Sequence, residues 1–403
     1  MKKVVLFPAL LSLALAFTGV SCSDDDGDDD GDDVAKTYSL SVNVTLPAGA
    51  ESVGDITVTA THAQTAGTYT ATIAAGETNT IIAELPTGQY AVSAKAQATA
   101  SSVYTGSTAV QVYGNATCTI ALSEVSESSL IFKEVYVASN NYYFKDLYWE
   151  IVNNSNEVQY LDQCIIGSMG SNWDGPSKWV DESGNMLPYY ALNGYVLAFP
   201  GNGTDYPLQP GESVVIAQDA ANHAEAQGDA AYPDLSDADW EAYLTSTSYS
   251  DTDYDTPNLI VIYDESASFY FGAGAFGQAP VLVKLPDGVK ATDYAADSTN
   301  LATIPNSTST SLYLKIPNQY VLDAIQIADN EEVAAGGTIY PNLLPKDDAS
   351  YTWATAWGGK SIRRKAIAID EDGRVRYQDT NNSAEDFIID APLTPGIAPT
   401  VVD

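Results

Sequence analysis

The sequence predicts an all-β protein built as two β-sandwich domains in series, with short helices only in insertions. Three observations predict it. Apolar and polar residues alternate in short runs between Tyr38 and Leu122, Gly, Pro or Asn bounds most of these runs, and from Leu130 onward strand-like and turn-like segments follow one another.

The N-terminus decides the compartment. Lys2 and Lys3 form a positive start, Val4 to Phe17 is apolar over the length of a signal peptide, and the small residues Gly19 and Ser21 precede Cys22. The arrangement resembles a lipoprotein signal, which implies removal of residues 1–21 and acylation of Cys22. Residues 22–37 then form a tether: Ser23 to Asp33 carries eight aspartates, and like charges so dense stay solvated and extended. A Ser-Asp-rich stretch here resembles the export signal of Bacteroides-type surface lipoproteins, which implies an outer-membrane location facing outward.

Residues 38–122 make the first domain. Leu40, Val42, Val44 and Leu46 alternate with Ser39, Ser41, Asn43 and Thr45, and Ile56, Val58 and Ala60 with Thr57, Thr59 and Thr61. Further strands read at Tyr69–Ile73, Thr80–Leu85, Gln89–Ala98, Thr108–Tyr113 and Thr117–Leu122. Cys118 sits on the apolar face of the last and reads as a core residue rather than half of a bridge with Cys164. Glu84-Leu-Pro-Thr-Gly-Gln-Tyr-Ala-Val-Ser-Ala94 resembles the turn and strand of transthyretin-like or carboxypeptidase-regulatory-like modules, which implies that Tyr90 packs into the core.

A polar joint, 123–129, leads to the second domain, 130–403. Phe132-Lys-Glu-Val135, Tyr148-Trp-Glu-Ile-Val-Asn-Asn-Ser155, Leu161 to Ile166, Pro207 to Ala217, Val281 to Gly288, Ser361-Ile-Arg-Arg364, Asp386-Phe387 and Leu393-Thr-Pro-Gly396 occur in that order. The series resembles lamin-tail-like domains, which implies an immunoglobulin-like sandwich in a binding or accessory module. Two insertions enlarge it. Gly167–Gly203 reads as a long loop carrying Trp173, Trp179, Tyr189 and Tyr190, which suits capture of a ligand or partner through aromatic faces. Asp219–Asp255 reads as two short helices, Ala220–Gln227 capped by Asp219 and a second near Trp240 opened by Ser236 and Asp239. Tyr142, Tyr143 and Phe144 form another aromatic group.

Catalytic signals are weak. The two histidines, His62 and His223, fall in different predicted domains, no Gly-x-Ser-x-Gly element occurs, and Glu134 and Glu150, though on neighbouring predicted strands, read as framework residues. From Trp179 to Val283 there are sixteen acidic residues and no Lys or Arg. That stretch holds Asp251-Thr-Asp-Tyr-Asp255, whose alternating carboxylates Asp251, Asp253 and Asp255 are the candidate ligands for calcium, although the glycine and glutamate of an EF-hand are missing. The formal charge of −36 excludes a nucleic-acid partner, because displacing counterions from phosphate needs clustered Lys and Arg. Lys360, Arg363, Arg364, Lys365, Arg374 and Arg376 are the one dense basic group and read as partners for acidic residues. The sequence therefore points to a non-catalytic surface lipoprotein, held to the membrane by lipid alone. It would bind an extracellular ligand or assist an outer-membrane transporter, with a structural or adhesive role as the alternative.

Overall fold

A computed structural model describes residues 36–403 apart from 48–49, 51–53, 63–64, 66, 98–101, 127–128, 139, 170–175, 245–250, 265–277, 329–339, 356 and 371. The chain is all-β; the α-helices among the described residues are short, at His223–Gln227, Ala291–Ala296 and Ser383–Asp386. It divides into two compact units, one made of the chain up to Ala98 with Tyr104–Glu124, the other of Thr99–Val103 with Val125–Asp403.

In the first unit Thr37–Thr45 pairs antiparallel with Asn79–Pro86 and parallel with Ala116–Ala121. A five-stranded sheet runs in the order Thr68–Ile73, Ile56–His62, Gly88–Gln97, Ser102–Val112, Ser123–Ser126. Because side chains on a strand alternate between faces, the period-two pattern gives each sheet one apolar face. One cluster takes Leu40, Val42 and Ile120 from the first sheet and Val58, Val92 and Tyr90 from the second. The Tyr90 hydroxyl donates to the Pro86 carbonyl at 2.8 Å, closing the turn before its strand. Gly106 is required by a close approach, since a Cβ there would lie 2.3 Å from the Ala121 carbonyl oxygen.

The second unit contains a six-stranded sheet in the order Trp240–Glu241, Ser213–Ala217, Tyr148–Asn153, Leu130–Ala138, Lys360–Arg364, Phe387–Ala391. A second sheet runs Leu301–Ala302, Tyr313–Pro317, Tyr189–Ala198, Cys164–Met169, Ala279–Lys284, Val321–Ala324, with Ile260–Asp264 also paired to Tyr189–Ala198. One apolar cluster joins Val135, Trp149 and Ile151 of the first sheet to Ile166, Leu197 and Leu282 of the second. Another covers the opposite face of the second sheet with Ile165, Val196, Val281, Val283 and Tyr190. That sheet is thus buried on both faces, and Cys164–Met169 is buried throughout. Cys118 and Cys164 are both unpaired, Cys164 fully buried and Cys118 partly so.

Three local expectations are corrected. Gly167–Gly203 is not one long loop, because it contains the ten-residue strand Tyr189–Ala198, inside a sheet. Burial on two faces removes the alternation that marks a strand in sequence. The first helix starts at His223 and its cap is Asn222, whose side chain accepts the Glu225 N–H; Gly228 ends it in the left-handed region at φ 64°. The second helix is absent. Trp240–Glu241 is instead a strand parallel to Ser213–Ala217, held by the Asp239 carboxylate on the Val215 N–H and by Trp240 packed edge-on against Phe199 and Tyr206.

Candidate functional site

The aromatic residues singled out in the Gly167–Gly203 segment separate in the fold. Trp173 lies outside the described residues. Trp179 is only 8% exposed and packs edge-on against Tyr313 at 5.2 Å, while Tyr190 is wholly buried. The Tyr190 hydroxyl donates to Asp347 and accepts the Leu344 N–H at 2.9 Å. Tyr189 is half-buried, with the Lys315 ammonium 5.6 Å from its ring centre. Trp179 and Tyr190 are therefore core residues rather than contact residues, because the strand beside them turns their rings into a covered sheet face.

The acidic stretch is also partly internal. Asp251 accepts the Leu244 and Thr252 N–H groups, each at 3.0 Å; Asp253 accepts from the Asn258 amide at 2.9 Å, and Asp255 is exposed. Among the described residues no three His, Cys, Asp or Glu are grouped to hold a metal ion. Lys145, from outside the stretch, supplies a cation to Asp219 at 2.9 Å. Glu241 is fully buried and takes the Ala220 and Tyr254 N–H groups, each at 3.1 Å. Burial, reinforced by repulsion from Asp219 and Asp251, pushes its carboxyl up to about 7.

The framework charges are bound just as tightly. Glu134 and Glu150 stand opposite each other on paired strands. Glu134 accepts from the Tyr148 and Thr394 hydroxyls, and Glu150 from Lys133 at 2.6 Å and Ser213 at 2.6 Å. Both are fully buried, so a substrate cannot reach between them. Arg364, 1% exposed, donates to the Phe132 carbonyl and meets Asp323 at 2.6 Å, Asp379 at 3.3 Å and Asp386 at 3.4 Å over the Phe387 ring. Asp323 belongs to the second sheet and Arg364 to the first, so this pair staples the two together. Of the other basic residues, Arg363 pairs with Asp403 and Arg376 with Asp370, while Arg374 bonds the Asn154 and Ser155 carbonyls. His62 and His223 are buried: His62 bonds the Thr65 N–H and the Thr87 carbonyl, His223 the Tyr143 hydroxyl and the Asp219 carbonyl. A pocket of about 140 Å³ lies beside Asp162, Gln163, Gly201, Lys284 and Lys290. Its Asp162 carboxylate is already held by three backbone N–H groups and its Lys284 by two carbonyls.

Among the described residues, a cluster of stacked aromatic rings lies open to solvent. The Leu130–Ala138 and Lys360–Arg364 strands are antiparallel neighbours, and Ala138 pairs with Lys360, so the loop leaving one strand lies beside the turn entering the other. The loop brings Tyr142 and Phe144 and the turn brings Trp357. Tyr142 stacks on Trp357 with ring centres 4.1 Å apart and an interplanar angle of 26°, and Phe144 meets Trp357 edge-on at 5.2 Å. Tyr142 is 63% exposed; Phe144 and Trp357 are half-buried. Between them in sequence, Tyr143 points the other way, edge-on to His223 at 5.5 Å and Tyr232 at 5.4 Å.

This ledge is held in an unfavourable backbone. Asn141, Tyr142, Phe144 and Trp357 have φ of 49°, 61°, 62° and 58°. For side chains with a Cβ the left-handed region costs about 1–2 kcal/mol per residue, and bulky residues are rarely found there. The surroundings hold them in place: the Tyr136 hydroxyl takes the Asn140 N–H at 3.0 Å, Tyr143 N–H bonds the Asn140 carbonyl at 3.1 Å, and Lys145 is tied to Asp219. On the other side the Asp390 carboxylate takes both the Thr355 N–H and its hydroxyl, at 2.7 and 2.6 Å, and Gly359 packs at φ 60° against Asn140. Strain of this kind gathers at ligand clamps and binding surfaces. The sequence groups Tyr142 with Phe144 but gives no sign of Trp357, whose one local marker is its place before Gly358 and Gly359 at the head of a strand.

Comparison with known proteins adds a family likeness. A family model described as "Protein of unknown function (DUF4876)" matches residues 209–394. The chain is also similar to the crystal structure of a DUF4876 family protein from Bacteroides thetaiotaomicron, at 26% identity and a TM-score of 0.57, over 91% of this chain and 99% of that one. The fimbrial anchor protein Mfa2 from Porphyromonas gingivalis aligns at 10% identity over 34% of this chain and 61% of its own, and its TM-score of 0.19 is too low to bear on the fold. None of the curated proteins matches.

Proposed function

We propose that this protein is a non-catalytic binding component displayed on the outer face of a bacterial outer membrane, acylated at Cys22, with the Tyr142–Phe144–Trp357 ledge as its capture surface. The observation that carries the reading is the ledge itself: three large rings meet at the solvent edge of a rigid sheet in backbone conformations that cost stability. The groups that could serve catalysis, Glu134, Glu150, His62 and His223, are each buried and committed to structural hydrogen bonds. An aspartate-rich tether after the acylated cysteine would hold the folded part clear of the membrane, where a transporter could receive what it captures.

Three measurements test this. Cys22→Ala should move the protein from the membrane fraction to the soluble one, and the native protein should be cleaved by protease added to intact cells. Retention of the variant in the membrane, or protection of the native protein, would count against surface display. Capture is tested on the purified protein with three probes, an oligosaccharide, an arginine peptide and an apolar helical peptide. If none binds in a way that depends on Tyr142, the capture reading fails.

A further inference from the structure

The size and rim of the ledge bear on what it holds. One tyrosine face and the exposed part of an indole present far less than the roughly 800 Å² per partner that a stable protein interface buries. They match the area of one or two sugar rings. The rim is polar: Asn141, Thr355 and Lys360 are exposed, and Asp390 is already committed to Thr355. Although the protein is strongly acidic as a whole, Lys145 and Lys360 flank these two loops and offset Asp219, which pairs with Lys145, and Asp390, so the rim carries little net charge and suits a neutral ligand.

We infer that the Tyr142 face, backed by Trp357, stacks against a β-linked pyranose ring of an extracellular glycan. The inference rests on the capture reading above. In a β-(1→4)-linked glucoside or N-acetylglucosaminide the ring substituents are equatorial, so both faces of the sugar consist of axial C–H groups. These carry slight positive charge and suit the negative face of an aromatic ring. The hydroxyls lie in the sugar plane and reach outward, where an amide, a hydroxyl and an ammonium stand along the rim. Trp357 stacked beneath Tyr142 fixes the tyrosine plane before the sugar arrives, which lowers the ordering cost of binding.

Isothermal titration of the purified mature protein with cellohexaose, chitohexaose and hexa-arginine tests this. At least one oligosaccharide should bind, Tyr142→Ala should weaken it about tenfold or more, and Tyr142→Trp should restore it. The melting temperature of Tyr142→Ala should stay close to native, so that lost binding is not lost folding; if Trp357→Ala unfolds, the Tyr142 pair still decides. Absence of binding by both oligosaccharides, or equal binding by Tyr142→Ala, would overturn the inference. Tyr142-dependent binding of hexa-arginine without sugar binding would overturn it as well while leaving the capture reading standing. Tyr142-independent behaviour of these three probes and of the apolar helical peptide as well would remove both.

Discussion

The two units of this chain belong to one fold class and are held together differently. The unit ending at Glu124 has an apolar interior in which His62 is the one buried polar or charged side chain among the described residues, and it is spent on closing a turn. The unit from Val125 buries Lys133, Glu134, Glu150, Arg364, Asp323, Asp379 and Asp386, all within its framework strands or against them. Apolar burial is non-directional and tolerates local adjustment, whereas a buried charge network is stabilising only when every partner is in place. The contrast teaches that the first unit depends on volume and the second also on connectivity, which suits a scaffold that must hold a strained ledge still.

Removing one partner of the network should therefore give the largest effect. Arg364→Met leaves three buried carboxylates without their cation and should cost about 3–5 kcal/mol, seen as a drop in the denaturant midpoint of the second unit. If Arg364→Met costs less than Leu40→Ala, about 2–5 kcal/mol in the apolar first unit, the contrast between the units is broken. Trp179→Ala sharpens the same comparison from the apolar side of the second unit. With its ring buried against Tyr313 it should lose about 3–5 kcal/mol, whereas a change near 0.5 kcal/mol would return it to the surface.

The smallest effect is one of pH. Burial holds Glu241 up to about 7 and Asp348 up to about 6, so between their ordinary values and these the folded state binds more protons than the unfolded one. Their contribution is fully present below the ordinary carboxylate range and is lost as pH rises through about 6 to 7. Asp162 runs the other way: burial raises its carboxyl, but the N–H groups of Asp205, Tyr206 and Gly203 together outweigh that and leave it lowered, so its share is lost only in acid. The second unit should accordingly melt lower at about pH 8 than at about pH 5.5 by a few degrees, with little change in the first unit. Glu241→Gln should flatten that slope even if its melting temperature is lower throughout, since Tyr254 N–H then faces an amide nitrogen or loses its acceptor. A slope that the variant leaves unchanged would remove Glu241 as its source.

How much of this was legible differs between the units for the same reason. In the first, Leu40, Val42 and Val44 face one core from one sheet, so alternation along nine residues is a sufficient signal; most strands read within a residue or two of their observed ends, but Ser102–Val112 read only from Thr108, and Ser123–Ser126, a strand of the sheet, read as part of the polar joint. In the second, Tyr189–Ala198 is covered on both faces and shows no alternation, so its aromatic residues look like those of a loop. Trp240 fails for a related reason: Ser236 and Asp239 carry the pattern of a helix start, but the indole packs edge-on against Phe199 and Tyr206 from a strand paired with Ser213–Ala217.

By itself the sequence determined the features whose cause is local: the all-β class, the alternating strands of the first unit, and the helix stop at Gly228. These depend on side-chain period and φ preference over a few residues, which are written in order along the chain. Only the tertiary structure decided that Arg364 is a buried hub rather than a surface cation, that Trp179 and Tyr190 are core, and that Trp357 joins Tyr142 and Phe144. Each of those depends on which strands lie side by side, and strand pairing brings together residues far apart in sequence through contacts that no local pattern encodes.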